Sequence, residues 1–225
     1  PVSIPYGSYI SWLGRQDTKN AEHFWRKTLA GYTEPTSFSF ARNSAQPVEE
    51  GKFYGDHRTK LSEAATENLR EFARRHRLTL NTLVQGAYAL LLSRYSGADD
   101  VVFGVTMAGR PATLDAVESM VGLFINTLPL RARIDSRQPM LSWLKELQAG
   151  QSELQQYEYS SLLDIQGWSE VPRGVPLFDS ILVFENLPVD STHRAAESKV
   201  EFREDRGFGS TTGYPLTILT SPGQR

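Results

Sequence analysis

The 225-residue sequence predicts an α/β layered fold, an α+β sandwich in which helices cover a mixed sheet. Three observations predict it. Amphipathic segments with a repeat near 3.6 residues alternate irregularly with short apolar runs, which places helices and strands in layers. Two of those runs, VVFGVTM at 101–107 and DSILVFE at 179–185, are apolar at most positions, as interior strands covered on both faces are. No internal repeat of 20 to 50 residues occurs, which excludes a solenoid or propeller.

In chain order, Asp17 caps a helix with Ala21, Phe24, Trp25 and Leu29 on its apolar stripe and Gly31 as its left-handed stop. From Tyr32 to Lys52 the sequence turns to Ser, Thr, Pro, Asn and Glu without a sustained period, so a surface connection is expected. Ser62 caps a second helix, SEAATENLREFARRHR, half-exposed, with Ala65, Leu69, Phe72 and Ala73 on one face. Thr79 opens a third, with Leu80, Leu83, Val84, Ala87, Leu90 and Leu91 expected inward, ended by the turn Ser96-Gly97-Ala98-Asp99-Asp100.

VVFGVTM follows as an interior strand, broken by Gly109-Arg110-Pro111. The stretch Leu123 to Ile134 reads as an edge or kinked strand, because Pro129 cannot donate to a ladder. Met140 to Tyr157 reads as a helix with Trp143, Leu144, Leu147 and Leu154 inward, and SLLDI (161–165) as a short apolar turn. Asp179 to Glu185 is a buried strand, Val200 to Arg203 a weaker one, and Tyr214 to Thr220 the last.

Composition limits the chemistry. Twenty-four Lys and Arg against 26 Asp and Glu leave net charge −2, without the basic excess of a nucleic-acid binder. The absence of cysteine excludes disulfides, thiolate metal sites and a Cys nucleophile, and a cytoplasmic location is the economical expectation. No apolar run approaches the ~20 residues of a membrane-spanning helix, and the first residues lack a signal-peptide pattern. The start at Pro1 without a Met, and the stop at Ser-Pro-Gly-Gln-Arg directly after LTILT, are expected of a piece of a longer chain.

His23, His57, His76 and His193 are scattered in polar surroundings without metal-ligand spacing, so no metal site and no general base is expected among them. The nucleophile elbow and the phosphate-loop patterns are absent; Gly207-Phe208-Gly209 precedes no helix and reads as a loop. Two positions stand out. Asn126-Thr127 interrupts an apolar run, where buried amide and hydroxyl groups are costly unless paired; they are either polar groups with a role beyond the core or a side-chain tie between a strand start and a neighbouring loop. Glu185-Asn186 ends a buried strand, where open α/β sheets place ligands, or simply feeds the Leu187-Pro188 turn.

The ordered segments YGSYISWLGRQD, AEHFWRKTLAG, VVFGVTMAGRP, MVGLFINTLPLR, YSSLLDIQ, VPLFDSILVFEN and YPLTI resemble the second half of a condensation domain of a nonribosomal peptide synthetase over nearly the whole chain. The most specific are Val121 to Arg131, similar to the family's GxFxNTxPxR motif, and Pro176 to Asn186. The resemblance implies one lobe of a two-lobed fold like chloramphenicol acetyltransferase. Residues 1–15 would be the inter-lobe connection, and 16–225 the C-terminal lobe, truncated at its end. Such domains join a carrier-bound aminoacyl or peptidyl thioester to the amine on a downstream carrier. The implied partners are the N-terminal lobe, upstream and downstream peptidyl carrier proteins and an adjacent adenylation domain. Their phosphopantetheine arms bring the substrates, and the chain itself is expected to bind no cofactor.

The family's HHxxxDG motif lies in the other lobe, and no adjacent histidines occur here, so this piece alone is expected to be inactive. The resemblance makes Asn126, Asn186, Gly109 and Arg110 cleft-facing candidates, with Arg110 alternatively a structural arginine paired with Glu118. Tyr6, Tyr9 and Trp12 resemble the family's YxDYxxW stretch, with Ser8 in place of the Asp, and are expected to pack as aromatics. A docking module for a carrier or neighbouring domain is one alternative, and an epimerization or heterocyclization relative another. A lobe without its partner is expected to expose a sizeable apolar patch and to tend to dimerise or aggregate.

Overall fold

The computed structural model describes residues 4–36, 55–111, 113–185 and 212–222. The described elements run α1 (Gly7–Leu13), α2 (Thr18–Leu29), α3 (Glu63–His76), α4 (Leu80–Ser96), β1 (Asp100–Met107), β2 (Asn126–Arg133), α5 (Met140–Gln155), α6 (Leu162–Trp168), β3 (Ser180–Phe184) and β4 (Leu216–Thr220). A short 3-10 turn, Val117–Ser119, lies between β1 and β2. The sheet order is β2-β1-β3-β4, antiparallel between β1 and β2 and parallel elsewhere, so the sheet is mixed as expected.

β1 is interior and β2 is an edge, as the apolar run and Pro129 require. Pro129 stands opposite Gly104, where its missing donor costs no ladder bond on the inner side. Val101 to Val105 are all buried because both faces of β1 are covered. On one face Phe103 meets Tyr88 of α4 edge-on, with ring centres 5.0 Å apart. On the other, Gly104 leaves room for Phe178, whose ring would lie 2.5 Å from an added Cβ. Trp25, Leu29, Leu92, Leu128, Ile165 and Leu182 complete the densest part of the core.

Helices α2, α3 and α4 start where the sequence supplies a cap, whereas α1 and α5 start without a side-chain cap. The Asp17 carboxylate accepts from the backbone N–H groups of Lys19 and Asn20, the Ser62 hydroxyl from Ala65 and the Thr79 hydroxyl from Thr82. Gly97 ends α4 in the left-handed conformation. In α5, Trp143, Leu144, Leu147 and Leu154 are buried as the spacing predicts.

The structure departs from the sequence expectations at four places. The inward face of α4 is not the leucine stripe: Thr82, Gln85, Gly86, Tyr88, Ala89 and Leu92 are buried, Ala87 and Leu91 are exposed, and Leu80, Leu83, Val84 and Leu90 are half-buried. Closest approach is set by small residues, since a Cβ on Gly86 would fall 2.5 Å from Leu144 Cδ2 of α5. Phe72 of α3 is exposed and lies on the His76 ring at 4.5 Å rather than in the core. Tyr32 and Thr36 are buried, not on a surface connection: the Thr36 hydroxyl accepts from Val102 N–H, and the Tyr32 phenol accepts from Thr36 N–H. SLLDI opens helix α6 rather than forming a turn, because the Ser161 hydroxyl caps it by accepting from Asp164 N–H. Within the segment expected as the inter-lobe connection, residues 7–13 form helix α1.

Residues 37–52, Val200 to Arg203, His193, Gly207 to Gly209 and Asn186 lie outside the described residues. His23 and His57 are exposed, as expected. Among the described residues no helix is long and apolar enough to cross a membrane.

Candidate cleft face

Three of the four candidate residues meet where β1 leaves the sheet and β2 enters it. Gly109 has φ +61°, and the Phe124 carbonyl oxygen lies where its Cβ would be, 1.7 Å from that point. Only glycine admits this backbone approach. One residue on, the Arg110 guanidinium donates to the carbonyls of Val117 and Met120 and lies 4.1 Å over the Phe124 ring. Its partners are therefore the carbonyls around the 3-10 turn and an aromatic face rather than Glu118; arginine's planar fork suits both.

Phe124 anchors a second, smaller core. Its ring is 4.7 Å from Tyr9 and 5.2 Å, edge-on, from Tyr6, and Tyr9, Val117, Met120 and Phe124 are buried together. Tyr9 stacks on Trp12, which meets Tyr159 edge-on. The Tyr6 hydroxyl donates to the Leu123 carbonyl, and its ring fills the space a side chain at Gly122 would need, 2.1 Å from an added Cβ. The aromatic packing expected of Tyr6, Tyr9 and Trp12 is present. Burial is the main cause raising the Tyr9 phenol above its ordinary pKa, with the Tyr6 phenol and the Glu158 carboxylate adding to it.

Asn126 begins β2 with its amide committed on both ends. Nδ2 donates to the carbonyls of Glu158 and Ser160, each at 2.8 Å, and Oδ1 accepts from Thr127 N–H at 2.9 Å. The same turn is held from the core side, where Trp25 Nε1 donates to the Ser160 hydroxyl at 2.9 Å. The geometry is that of a strand start tied to a neighbouring loop. Burial raises the Glu158 carboxyl within that loop above its ordinary range. Asn186 lies beyond the last described residue of its segment, one position after Glu185, whose N–H donates to the Thr220 carbonyl.

Two groups that sequence reasoning does not single out are central to this face and its support. Phe124 is the hub joining Arg110, Tyr6 and Tyr9. Arg131, with only 6% of its side chain exposed, donates to both carboxylate oxygens of Asp100 and to the carbonyls of Thr28 and Ala30, tying the end of α2 to the sheet. Its signal in the sequence is an arginine set between the apolar residues Leu130 and Ala132 of the edge strand.

Above this braced layer, side chains alternate outward. Val121, Leu123 and Ile125 are 87%, 74% and 64% exposed while Phe124 between them is buried. These three exposed apolar side chains form a ridge on the outer side of the extended segment entering β2. Among the described residues no group of three or more His, Cys, Asp or Glu could hold a metal. What the face supplies is shape and rigidity: fixed carbonyls, an aromatic floor and an unsealed apolar ridge.

Residues 1–222 match the family model for the condensation domain. Among curated relatives, a linear gramicidin synthase protein of Brevibacillus parabrevis is 49% identical over 225 residues, which are 98% of this chain and 3% of that protein. Chondramide synthase cmdD of Chondromyces crocatus is 46% identical over 220 residues, 98% of this chain and 6% of that protein. Among solved structures, holo T3CT superposes with TM-score 0.61 at 26% identity, covering 84% of this chain and 40% of that one. The X-domain from teicoplanin biosynthesis superposes with TM-score 0.68 at 24% identity, covering 82% and 43%. The chain therefore spans a small fraction of the synthases and under half of the solved chains, and its mixed sheet covered by helices is that of the chloramphenicol-acetyltransferase-like fold of these neighbours. Motif order, sheet topology and the match over residues 1–222 agree: this chain belongs to the condensation-domain family of nonribosomal peptide synthetases.

Proposed function

We propose that this chain is the C-terminal lobe of a condensation domain and forms one wall of a cleft in which an amide bond is made between two carrier-bound substrates. The observation that carries this reading is the ridge of Val121, Leu123 and Ile125, unsealed over a layer that Arg110, Phe124 and Asn126 hold rigid. A lobe carrying HHxxxDG is the natural cover for it, since related solved chains are about two and a half times as long as the part matched.

In the reaction the amine nitrogen of the downstream aminoacyl group attacks the thioester carbonyl of the upstream one. The C–N bond forms, the C–S bond breaks, and the proton lost by nitrogen ends on the departing thiol. Thioester aminolysis is downhill, so the protein's task is orientation and accommodation of the developing oxyanion. The histidine of the other lobe would position or deprotonate the amine. Gly109, Arg110 and Asn126 act here as positioning groups that fix the floor and the strand entrance. The resemblance makes Asn186 a further polar candidate, and the phosphopantetheine arms of the two carriers deliver the substrates.

Mixing this chain with a first lobe containing HHxxxDG and two loaded carriers tests the reading by mass spectrometry of the carrier-bound product. Product is expected only with both lobes present, and none from this chain alone. Equal product without this chain overturns the reading. If no product forms but a pantetheinylated carrier shifts amide resonances of this chain, the docking-module alternative takes its place.

A further inference from the structure

Glu158 borders the end of the ridge. Its backbone carbonyl accepts from Asn126 Nδ2 at 2.8 Å, and Asn126 directly follows Ile125, the last exposed residue of the ridge. Its carboxylate acts on the Tyr9 phenol, whose ring lies 4.7 Å from that of Phe124, the buried residue between Leu123 and Ile125. The loop is held on either side of it. The Tyr159 hydroxyl donates to the Asp17 carbonyl at 3.1 Å, with the Tyr159 ring edge-on to Trp12, and the Tyr157 ring stacks on Phe24 at 4.3 Å. The backbone that carries the carboxylate is therefore set, yet among the described residues that carboxylate forms no ion pair and accepts no hydrogen bond.

The corner around it is electronegative. Its titratable groups are Tyr6 and Tyr9 at α1, Asp17 at the cap of α2, and Tyr157 and Tyr159 beside Glu158 in the loop. Glu158, Tyr9 and Tyr159 are all held above their ordinary pKa values, with burial the main cause in each, and no lysine, arginine or histidine pulls any of them down. A half-buried carboxylate without a cation is tolerable while water reaches it. Covering the ridge removes that water, and an unpaired carboxylate inside an interface opposes the cover. Two outcomes avoid this cost: the carboxyl takes up a proton, or the cover brings a cation. The rings of Tyr9, Trp12 and Tyr159 favour the second, since a guanidinium or ammonium beside them gains from aromatic faces as well as from the charge.

We propose that Glu158 forms an ion pair with an arginine or lysine side chain of the lobe that covers the ridge, and that this pair fixes how that lobe is seated. The inference rests on the covered ridge of the proposed function. The cation is a fixed side chain rather than the downstream amine of the substrate, because a carboxylate holds an amine in its ammonium form, which has no lone pair with which to attack a thioester.

The side-chain carboxyl of Glu158 would be titrated by carboxyl-carbon NMR in the 225-residue chain alone and in its complex with a separately produced lobe carrying HHxxxDG, without carriers. In the free chain it titrates above the ordinary carboxylate range. In the complex it is expected below that range, because a cation favours the charged form, whereas cover without a cation raises it further. Glu158→Gln keeps the shape and removes the charge, so it should weaken the complex about tenfold at pH 7 and reduce its dependence on salt. A complex in which the Glu158 carboxyl stays raised, or one indifferent to Glu158→Gln, overturns this inference and leaves the covered ridge standing. A fall that appears only when a loaded downstream carrier is added assigns the cation to the substrate and overturns it as well. No complex with the wild-type chain overturns both.

Discussion

Replacing Asn126 separates a tie that shapes the strand entrance from a side chain that merely lines it. Asn126→Ala deletes two donated bonds of 2.8 Å and one accepted bond of 2.9 Å, and leaves the Glu158 and Ser160 carbonyls and Thr127 N–H to find other partners. At about 1 kcal/mol net for each bond, reduced because the site is half-buried and water can replace some of it, the loss comes to about 2–3 kcal/mol. Asn126→Asp is the sharper variant. It keeps the acceptor facing Thr127 and turns a carboxylate oxygen toward two carbonyls, so it should be less stable than Asn126→Ala at pH 7. The carbonyls hold the new carboxyl above its ordinary pKa in the folded state; the cost is therefore full above that value and is relieved as pH falls and the group regains a donor. Urea unfolding at pH 7 and pH 4 reads both effects. An alanine variant within about 0.5 kcal/mol of wild type, or an aspartate variant no worse than alanine at pH 7, refutes the assignment of Asn126 as the tie.

Three further outcomes follow from the same geometry. Gly109→Ala must hold a left-handed φ of +61° and displace the Phe124 carbonyl, at a cost of about 2–5 kcal/mol, with loss of near-ultraviolet dichroism from the Tyr6, Tyr9 and Phe124 cluster. Arg131→Lys cannot reproduce the fork to Asp100 together with the two carbonyl bonds at the end of α2, and should lower stability by about 2–4 kcal/mol in urea unfolding. Glu158 binds its proton at higher pH in the folded state than in the unfolded one, so its contribution is unfavourable above its folded pKa and disappears as pH falls. Glu158→Gln should therefore be more stable than wild type at pH 7 and indistinguishable from it below about pH 4, as read from urea midpoints across that range.

Local rules carry the sequence far where one interaction decides a feature. Asp17, Ser62 and Thr79 mark helix starts because a cap acts over three residues, and Pro129 marks an edge because a missing donor is tolerated only there. The orientation of α4 is not legible in the same way. Apolar residues ring most of that helix, so the buried side is chosen by where α5 can approach, at Gly86 and Ala89, and that depends on a partner 58 residues downstream, Leu144. The site is legible in kind. Asn126 stands out as anomalous among the apolar residues around it, but its partners at 158 and 160 are visible only once α5 and the turn after it fold back. Arg110 is marked by its motif, whereas the exchange of Glu118 for two backbone carbonyls depends on the path of the 3-10 turn. Phe124 reads as one more core residue until Gly109, Arg110, Tyr6 and Tyr9 converge on it.

The central claim is that the Val121, Leu123 and Ile125 ridge is covered by a histidine-bearing lobe. Sedimentation of this chain mixed with a separately produced lobe carrying HHxxxDG measures that cover directly, with Leu123→Glu as the control, since Leu123 is 74% exposed and the variant should fold normally. The account predicts a one-to-one complex with the wild-type chain, weakened at least tenfold by Leu123→Glu at an unchanged unfolding midpoint. Absence of a complex, or a complex indifferent to Leu123→Glu, would contradict it.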